Sequence, residues 1–144
     1  MNGKDTYFVA VKVFLEKDGM FLITKDRFDC WDIPGGRIKP NEFDVPLEDI
    51  VKRKMREELG EGIEYTLSPK PEIFMRHERQ EIAEGNPTVR IFGLGYTAQL
   101  IKGEIALGKN HVEMKWVNPK SFNPEEYFTG GWLKGVQEYI HLKK

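Results

Sequence analysis

The chain has 144 residues, enough for one domain over 1–144 with a substantial core, and its 40% hydrophobic and 31% charged content is that of an ordinary globular protein. Its 22 basic and 23 acidic residues give a formal net charge of −1, which offers no electrostatic grip on long nucleic acid. The single cysteine, Cys30, excludes an internal disulfide and a cysteine-built zinc cluster, and is expected to be a small, partly buried residue rather than a nucleophile.

The N-terminal stretch MNGKDTYFVAVKVF lacks the basic start and cleavage site of a signal peptide, and no apolar run reaches membrane-spanning length. The expected location is cytoplasmic, with no membrane partner. Tyr7–Leu15 (YFVAVKVFL) reads as a strand, and Met20–Thr24 (MFLIT) as its hairpin partner across a turn supplied by Asp18 and Gly19. Trp31–Ile33 is a short extended piece stopped by Pro34, Gly35 and Gly36. A helix is predicted over about Pro46–Leu59, with Asp44 as its cap, Pro46 in the first turn and Gly60 at its end. Strands follow near Glu72–Glu78, Thr88–Leu100 and Lys115–Val117, and EIAEGNP reads as a hairpin connection. The last helix spans about Trp132–Leu142, with Trp132, Val136, Tyr139 and Ile140 on one face. This order predicts an α/β fold, a mixed sheet covered by helices.

The inserted helix carries an unusual charge pattern. At about 100° per residue, Leu47, Ile50, Val51, Met55 and Leu59 form one apolar arc. Glu58 projects inside that arc, Lys54 falls between Ile50 and Leu47, and Arg53 and Glu57 lie at the edge. A carboxylate aimed at packed structure is unfavourable unless something neutralises it. A Lys54–Glu58 pair would do so, although lysine before glutamate is the poorer order for such a pair, and Arg53 and Glu57 repeat that order. Two readings stand at this point: an ion-paired helix, or a face prepared for a cation.

The loop before the helix adds context. Pro34-Gly35-Gly36 lets the backbone turn sharply and approach a neighbour or ligand closely. Gly36 and Glu42 are separated by five residues, and Arg53, Met55, Glu57, Glu58 and Gly60 follow in a fixed register. With WDIPGG before them and HVEMKWV later, where Glu113 precedes Trp116, these residues resemble the signature of the Nudix hydrolase family. The resemblance implies a Nudix-type α/β/α sandwich with a central mixed sheet. It also implies a hydrolase, dependent on Mg2+ or Mn2+, that splits the phosphoanhydride bond in a nucleoside diphosphate linked to another moiety. The partner is then a small-molecule nucleotide, and a homodimer is left open. In that reading Arg53, Glu57 and Glu113 are catalytic, Glu57 and Glu58 bind metal, and Gly35, Gly36, Lys54 and Arg76 bind substrate.

Two departures bear on function. Ten residues separate Glu42 from Arg53 where the family usually has seven, an enlargement around Phe43–Pro46 that a surface connection tolerates. Lys54 stands where the family has the first glutamate of its helix cluster, and Glu61 takes a usually aliphatic position with Ile63 nearby. Diphosphate hydrolysis brings water to an already anionic phosphorus, so a cation held by hard oxygen ligands both offsets charge and activates the water. Lysine at this position either weakens that cation site or contacts a phosphate itself. The alternative function is therefore a catalytically impaired nucleotide-binding or regulatory module. RNA decapping, a third use of the same chemistry, gains nothing from the charge balance.

The remaining candidates are weaker. His77 in MRHERQE is expected on a solvated strand face, and His111 at the surface. Arg79 and Arg90 share with Arg76 the choice between phosphate contact and solvated strand. Phe28, Phe74 and Phe92 are either core or a platform for a base.

Overall fold

Strand β1 (Phe8–Lys17) carries an unbroken buried run because both of its faces are covered. Val11, Val13 and Leu15 enter one apolar cluster, while Phe14 enters the other on the opposite face. The computed structural model describes residues 3–81, 85 and 87–143. β7 (Thr88–Gly103) runs parallel to β1 along one edge, from Phe8 opposite Ile91 to Glu16 opposite Gln99. On the other edge β4 (Gly35–Arg37) pairs antiparallel with Ala10–Lys12, and β2 (Met20–Asp26) pairs only with Glu16 and Lys17. β2 then takes β3 (Trp31–Asp32) and β8 (His111–Val117) as partners, while β5 (Ile63–Leu67) and β6 (Ile73–Gln80) line the far edge of β7. The result is an eight-stranded mixed sheet in an α/β sandwich.

One helix covers each face. α1 (Leu47–Leu59) buries Ile50, Val51, Met55 and Leu59 against Val11, Val13, Leu15 and Leu22. α2 (Gly130–Leu142) buries Val136, Tyr139 and Ile140 against Phe14, Phe21 and Ile23. None of the described helices is long and apolar enough to cross a membrane.

Several elements depart from the sequence expectations. The β1–β2 hairpin closes over two residue pairs only, because β4 occupies the rest of that edge. Gly35 and Gly36 belong to β4 rather than to a turn. Gly35 has φ of 148°, and a Cβ there would meet the Val11 carbonyl oxygen at 2.0 Å, so the glycine permits strand contact as well as bending. β5 follows α1 where no strand was expected, and β8 begins at His111. Pro46, not Asp44, is the N-cap of α1; its carbonyl accepts from Asp49 and Ile50, and Glu48 and Asp49 suit the helix dipole. The connection EIAEGNP lies largely outside the described residues, and at its base Glu81 N–H donates to the Pro87 carbonyl at 2.9 Å.

Under α2 lies a buried carboxylate. Glu16 accepts from the Tyr139 hydroxyl and the Gln99 amide and pairs with Lys143 at 2.6 Å. Burial, followed by the Glu16 hydrogen bond, pushes the Tyr139 phenol far above its usual range. The Tyr139 ring stacks on Phe14 with centroids 4.2 Å apart. Tyr139→Phe keeps the stack and removes one donor from a buried anion. Urea unfolding should show a loss of about 1 to 3 kcal/mol.

Candidate active site

The last two turns of α1 are fixed to the preceding loop by one guanidinium. Arg53 donates from Nε and Nη2 to the two Glu42 oxygens, both at 2.5 Å, and from Nη1 to Glu57 at 2.8 Å. Glu42 ends a 3-10 turn (Pro40–Glu42) and also accepts the Lys39 N–H at 2.9 Å. The Arg53 hydrogen bond and the Lys39 N–H hold the Glu42 carboxyl below the usual range. Burial pushes Glu57 up, yet Arg53 and Lys54 outweigh it and keep that carboxylate low.

Lys54 lies in the site rather than in solvent, with a side chain 16% exposed and Nζ 3.3 Å from Glu57 Oε2. Its end rests on Gly36, where a Cβ would sit 2.2 Å from Cε and 2.5 Å from Nζ. The expected alternative partner, Glu58, instead accepts the Gly35 N–H at 2.8 Å. Burial pushes the Glu58 carboxyl above the usual range, opposed by that N–H and by the charge of Lys12. His111 Nε2 is 3.9 Å from Glu58, and its Nδ1 is buried without a hydrogen-bond partner. This corrects the expectation of a surface histidine. The β2–β8 register shifts at Lys25/Asp26, and the His111 side chain is only 8% exposed.

On the α2 side of β4 opens a cleft of about 340 Å3 whose walls include Lys12, Asp32, Arg37, Arg79, Glu81 and Trp132. Lys12 is 4% exposed, gives Nζ to both Asp32 oxygens at 2.9 Å, and lies 4.8 Å from the Trp132 ring centre. Arg37 pairs with Glu81 at 2.6 Å, and Arg79 approaches the same carboxylate at 3.5 Å. His77 stacks on Trp132 at 4.7 Å, and its Nδ1 accepts the Gly131 N–H at 3.1 Å and the Trp132 N–H at 3.4 Å. It therefore caps α2 with its proton on Nε2, and does not face solvent as expected.

The other candidates are not brought into this network. Glu113 pairs with Lys25 at 3.5 Å and is 52% exposed. Arg76 is exposed on β6, on the opposite side from the neighbouring His77. Arg90 is paired with Asp5 and Glu78. Phe28 and Phe74 are exposed, and Phe74 and Phe92 have ring centres 6.3 Å apart. Cys30 is exposed rather than partly buried; desolvation and then Asp26, Asp29 and Asp32 push its thiol up, which disfavours the thiolate.

A divalent cation fits these residues in a restricted way. Glu58 is a buried carboxylate driven toward its neutral form, which a cation would hold ionised, and Glu57 is its neighbour on the helix. Among the described residues no group of three or more His, Cys, Asp or Glu is disposed to hold a metal. Glu57 and Glu58 are thus at most part of a ligand set, and a hard cation held by them would take its remaining positions from water and phosphate.

Sequence reasoning missed Lys12, Asp32 and Trp132 as a cleft. A lysine inside the apolar run YFVAVKVFL was the available signal, since a buried ammonium needs a partner.

Comparisons with known proteins agree with this architecture. The family model of the NUDIX domain matches residues 6–132. Nucleoside triphosphatase NudI of Enterobacter sp. (strain 638) is 25% identical over 117 residues, covering 76% of this chain and 80% of that protein. An ADP-ribose pyrophosphatase structure from Streptococcus suis 89-1591 superposes with a TM-score of 0.66 at 15% identity, covering 96% of this chain and 93% of that one. The MutT protein of Methanosarcina mazei Go1 gives 0.67 at 19% identity, covering 96% of each chain. At such identities the solved structures speak for the fold.

Two measurements test the geometry. A Cβ at Gly35 meets backbone and adds strain at positive φ, whereas one at Gly36 meets only the flexible end of Lys54. Gly35→Ala should therefore destabilise by about 3 kcal/mol, and Gly36→Ala by less than about 1 kcal/mol. For His77, burial and then Arg79 lower the folded-state pKa below that of free imidazole. The unfolded chain then binds the proton first, so this contribution is complete above about pH 6.5 and is lost as pH falls toward the folded value. Chemical denaturation of wild type and His77→Gln across pH 5 to 8 should show that slope in wild type alone, about 6.5 marking its upper bound.

Proposed function

Because the chain belongs to the NUDIX domain family, we propose that it hydrolyses the phosphoanhydride bond of a nucleoside diphosphate linked to another moiety, with Mg2+ or Mn2+ as cofactor. One observation carries this reading: Arg53 joins Glu42 to Glu57 while Glu58 is drawn onto the Gly35 peptide, so the loop and the carboxylate-bearing helix are assembled together.

In this reading Glu57 and Glu58 hold the cation, which supplies charge neutralisation and an activated water when bound. Arg53 is a positioning residue. Its Nη1–H fixes the direction of Glu57, and its fork on Glu42 prevents the loop from swinging away. Gly35 lets β4 pack directly on β1, and Gly36 leaves the backbone bare beneath the end of Lys54, where a phosphate would approach once that side chain moves. Lys54 Nζ offers its protons to a non-bridging phosphate oxygen. The cleft beyond β4 receives the remainder of the substrate, with the Asp32 carboxylate as acceptor and the Arg37 and Arg79 guanidinium groups as donors. Water oxygen forms the new bond to phosphorus, the bridging oxygen departs with the leaving phosphate group, and the proton passes to solvent. Glu113 and Arg76, outside the network, are given no step.

The second reading, a nucleotide-binding module without turnover, draws on the Lys54–Glu57 contact at 3.3 Å, which places an ammonium beside a proposed metal ligand. A panel of nucleoside diphosphate derivatives, assayed for phosphate or nucleoside monophosphate release beside ligand-induced thermal shifts, separates the two. Release supports hydrolysis, and binding without release selects the module. If hydrolysis holds, Glu57→Gln and Glu58→Gln should each lower kcat/KM by about 100-fold with little change in Tm. Near wild-type turnover in the double variant would remove this helix from the chemistry.

A further inference from the structure

The charges around Glu57 are arranged unlike those of a site that waits for a bare dication. Glu57 alone is approached by Arg53 at 2.8 Å, Lys54 at 3.3 Å and Lys39 at 3.9 Å. Glu42 shares Arg53, and Glu58 is turned away onto the Gly35 N–H, so around Glu57 two carboxylates face three cations and no net negative charge remains. Such a site exerts little long-range attraction on a free divalent cation. It has, however, a movable cation of its own. Arg53 is locked by three hydrogen bonds to two carboxylates. Lys54 makes one long contact from a flexible stem lying across Gly36, in the glycine strand that separates α1 from the cleft.

We propose that Lys54 is an exchangeable counter-ion. It neutralises Glu57 in the free protein, transfers to a substrate phosphate when nucleotide enters, and thereby releases Glu57 to the divalent cation. The inference rests on the proposed phosphoanhydride hydrolysis and adds an order to it, nucleotide before metal. A polyanionic diphosphate competes well with one carboxylate for the ammonium, since it carries more charge. Once the ammonium has moved, Glu57, Glu58 and the phosphate oxygens together supply the hard ligands that no group of the described residues supplies by itself. By linkage the coupling is mutual: nucleotide tightens the cation and the cation tightens nucleotide by the same factor.

The test is a binding measurement on the full chain. Mn2+ is titrated and followed by electron paramagnetic resonance, with and without saturating α,β-methylene-ADP, after correction for the complex that Mn2+ and the analogue form in solution. Wild type is compared with Lys54→Met, and metal-free analogue binding is measured by calorimetry in EDTA. Circular dichroism verifies that both proteins are folded. The expected result is at least about tenfold tighter Mn2+ in wild type with the analogue present. In Lys54→Met, Mn2+ should bind the free protein more tightly, metal-free analogue binding should weaken by about tenfold, and the Mn2+ enhancement should shrink correspondingly. Equal coupling in the two proteins, with the analogue bound by both, overturns the exchange and leaves the hydrolase reading standing. Absence of analogue binding to either protein, with or without Mn2+, overturns both.

Discussion

Arg53 holds two carboxylates that would otherwise repel one another, and so ties the loop that carries Glu42 to the helix that carries Glu57. The guanidinium has the right shape for it. Two parallel N–H groups engage Glu42, and a third reaches Glu57 from the remaining nitrogen. With the loop drawn to the helix on one side, Glu58 can accept the Gly35 N–H on the other. The carboxylates at the end of α1 are thus held from two directions. Truncation of Arg53 would leave Glu42, mostly buried, without its neutralising partner.

The two sides of β4 differ in chemistry. On the α1 side the interactions are between ions of unlike freedom, a clamped arginine and a loosely held lysine. On the α2 side Lys12 is saturated by Asp32 and the Ile33 carbonyl, whereas Arg37 pairs with Glu81 yet keeps Nε and Nη2 buried without a hydrogen bond. Such pairs shape a cleft and contribute directional acceptors and donors, but do little to attract charge over distance.

Much of this was legible in the chain. The helix wheel placed Glu58 and Lys54 against packed structure, and both side chains are indeed largely covered. The strands rich in β-branched and aromatic residues were readable because local pattern and tertiary burial agree there. What escaped was what depends on distant partners. Gly35 and Gly36 look like a turn until β1 supplies a strand for them to join. His77 looks solvated until α2 brings its N-terminal N–H groups onto Nδ1. His111 turns inward through a register shift that no alternation pattern announces. Asp44 had the residue type of a cap, yet the backbone of Pro46 took the position. In each case the deciding contact comes from the backbone of another element or from local backbone geometry, which side-chain type alone does not encode.

The parallel pairing of β1 with β7 also sets how far apart in the chain the partners of this central pair lie. Phe8 meets Ile91 and Glu16 meets Gln99, partners 83 residues apart in the chain. Until β7 has been added to the growing chain, β1 therefore stays without its long neighbour. Val11, Val13, Phe14 and Leu15, which end up sealed between both layers, have for that interval only β4 and the end of β2 beside their strand. Closing so large a loop is slow compared with forming local hairpins. Lys12 and Glu16 interrupt the segment four residues apart, and the same two charges anchor the cleft and the buried tyrosine in the folded protein.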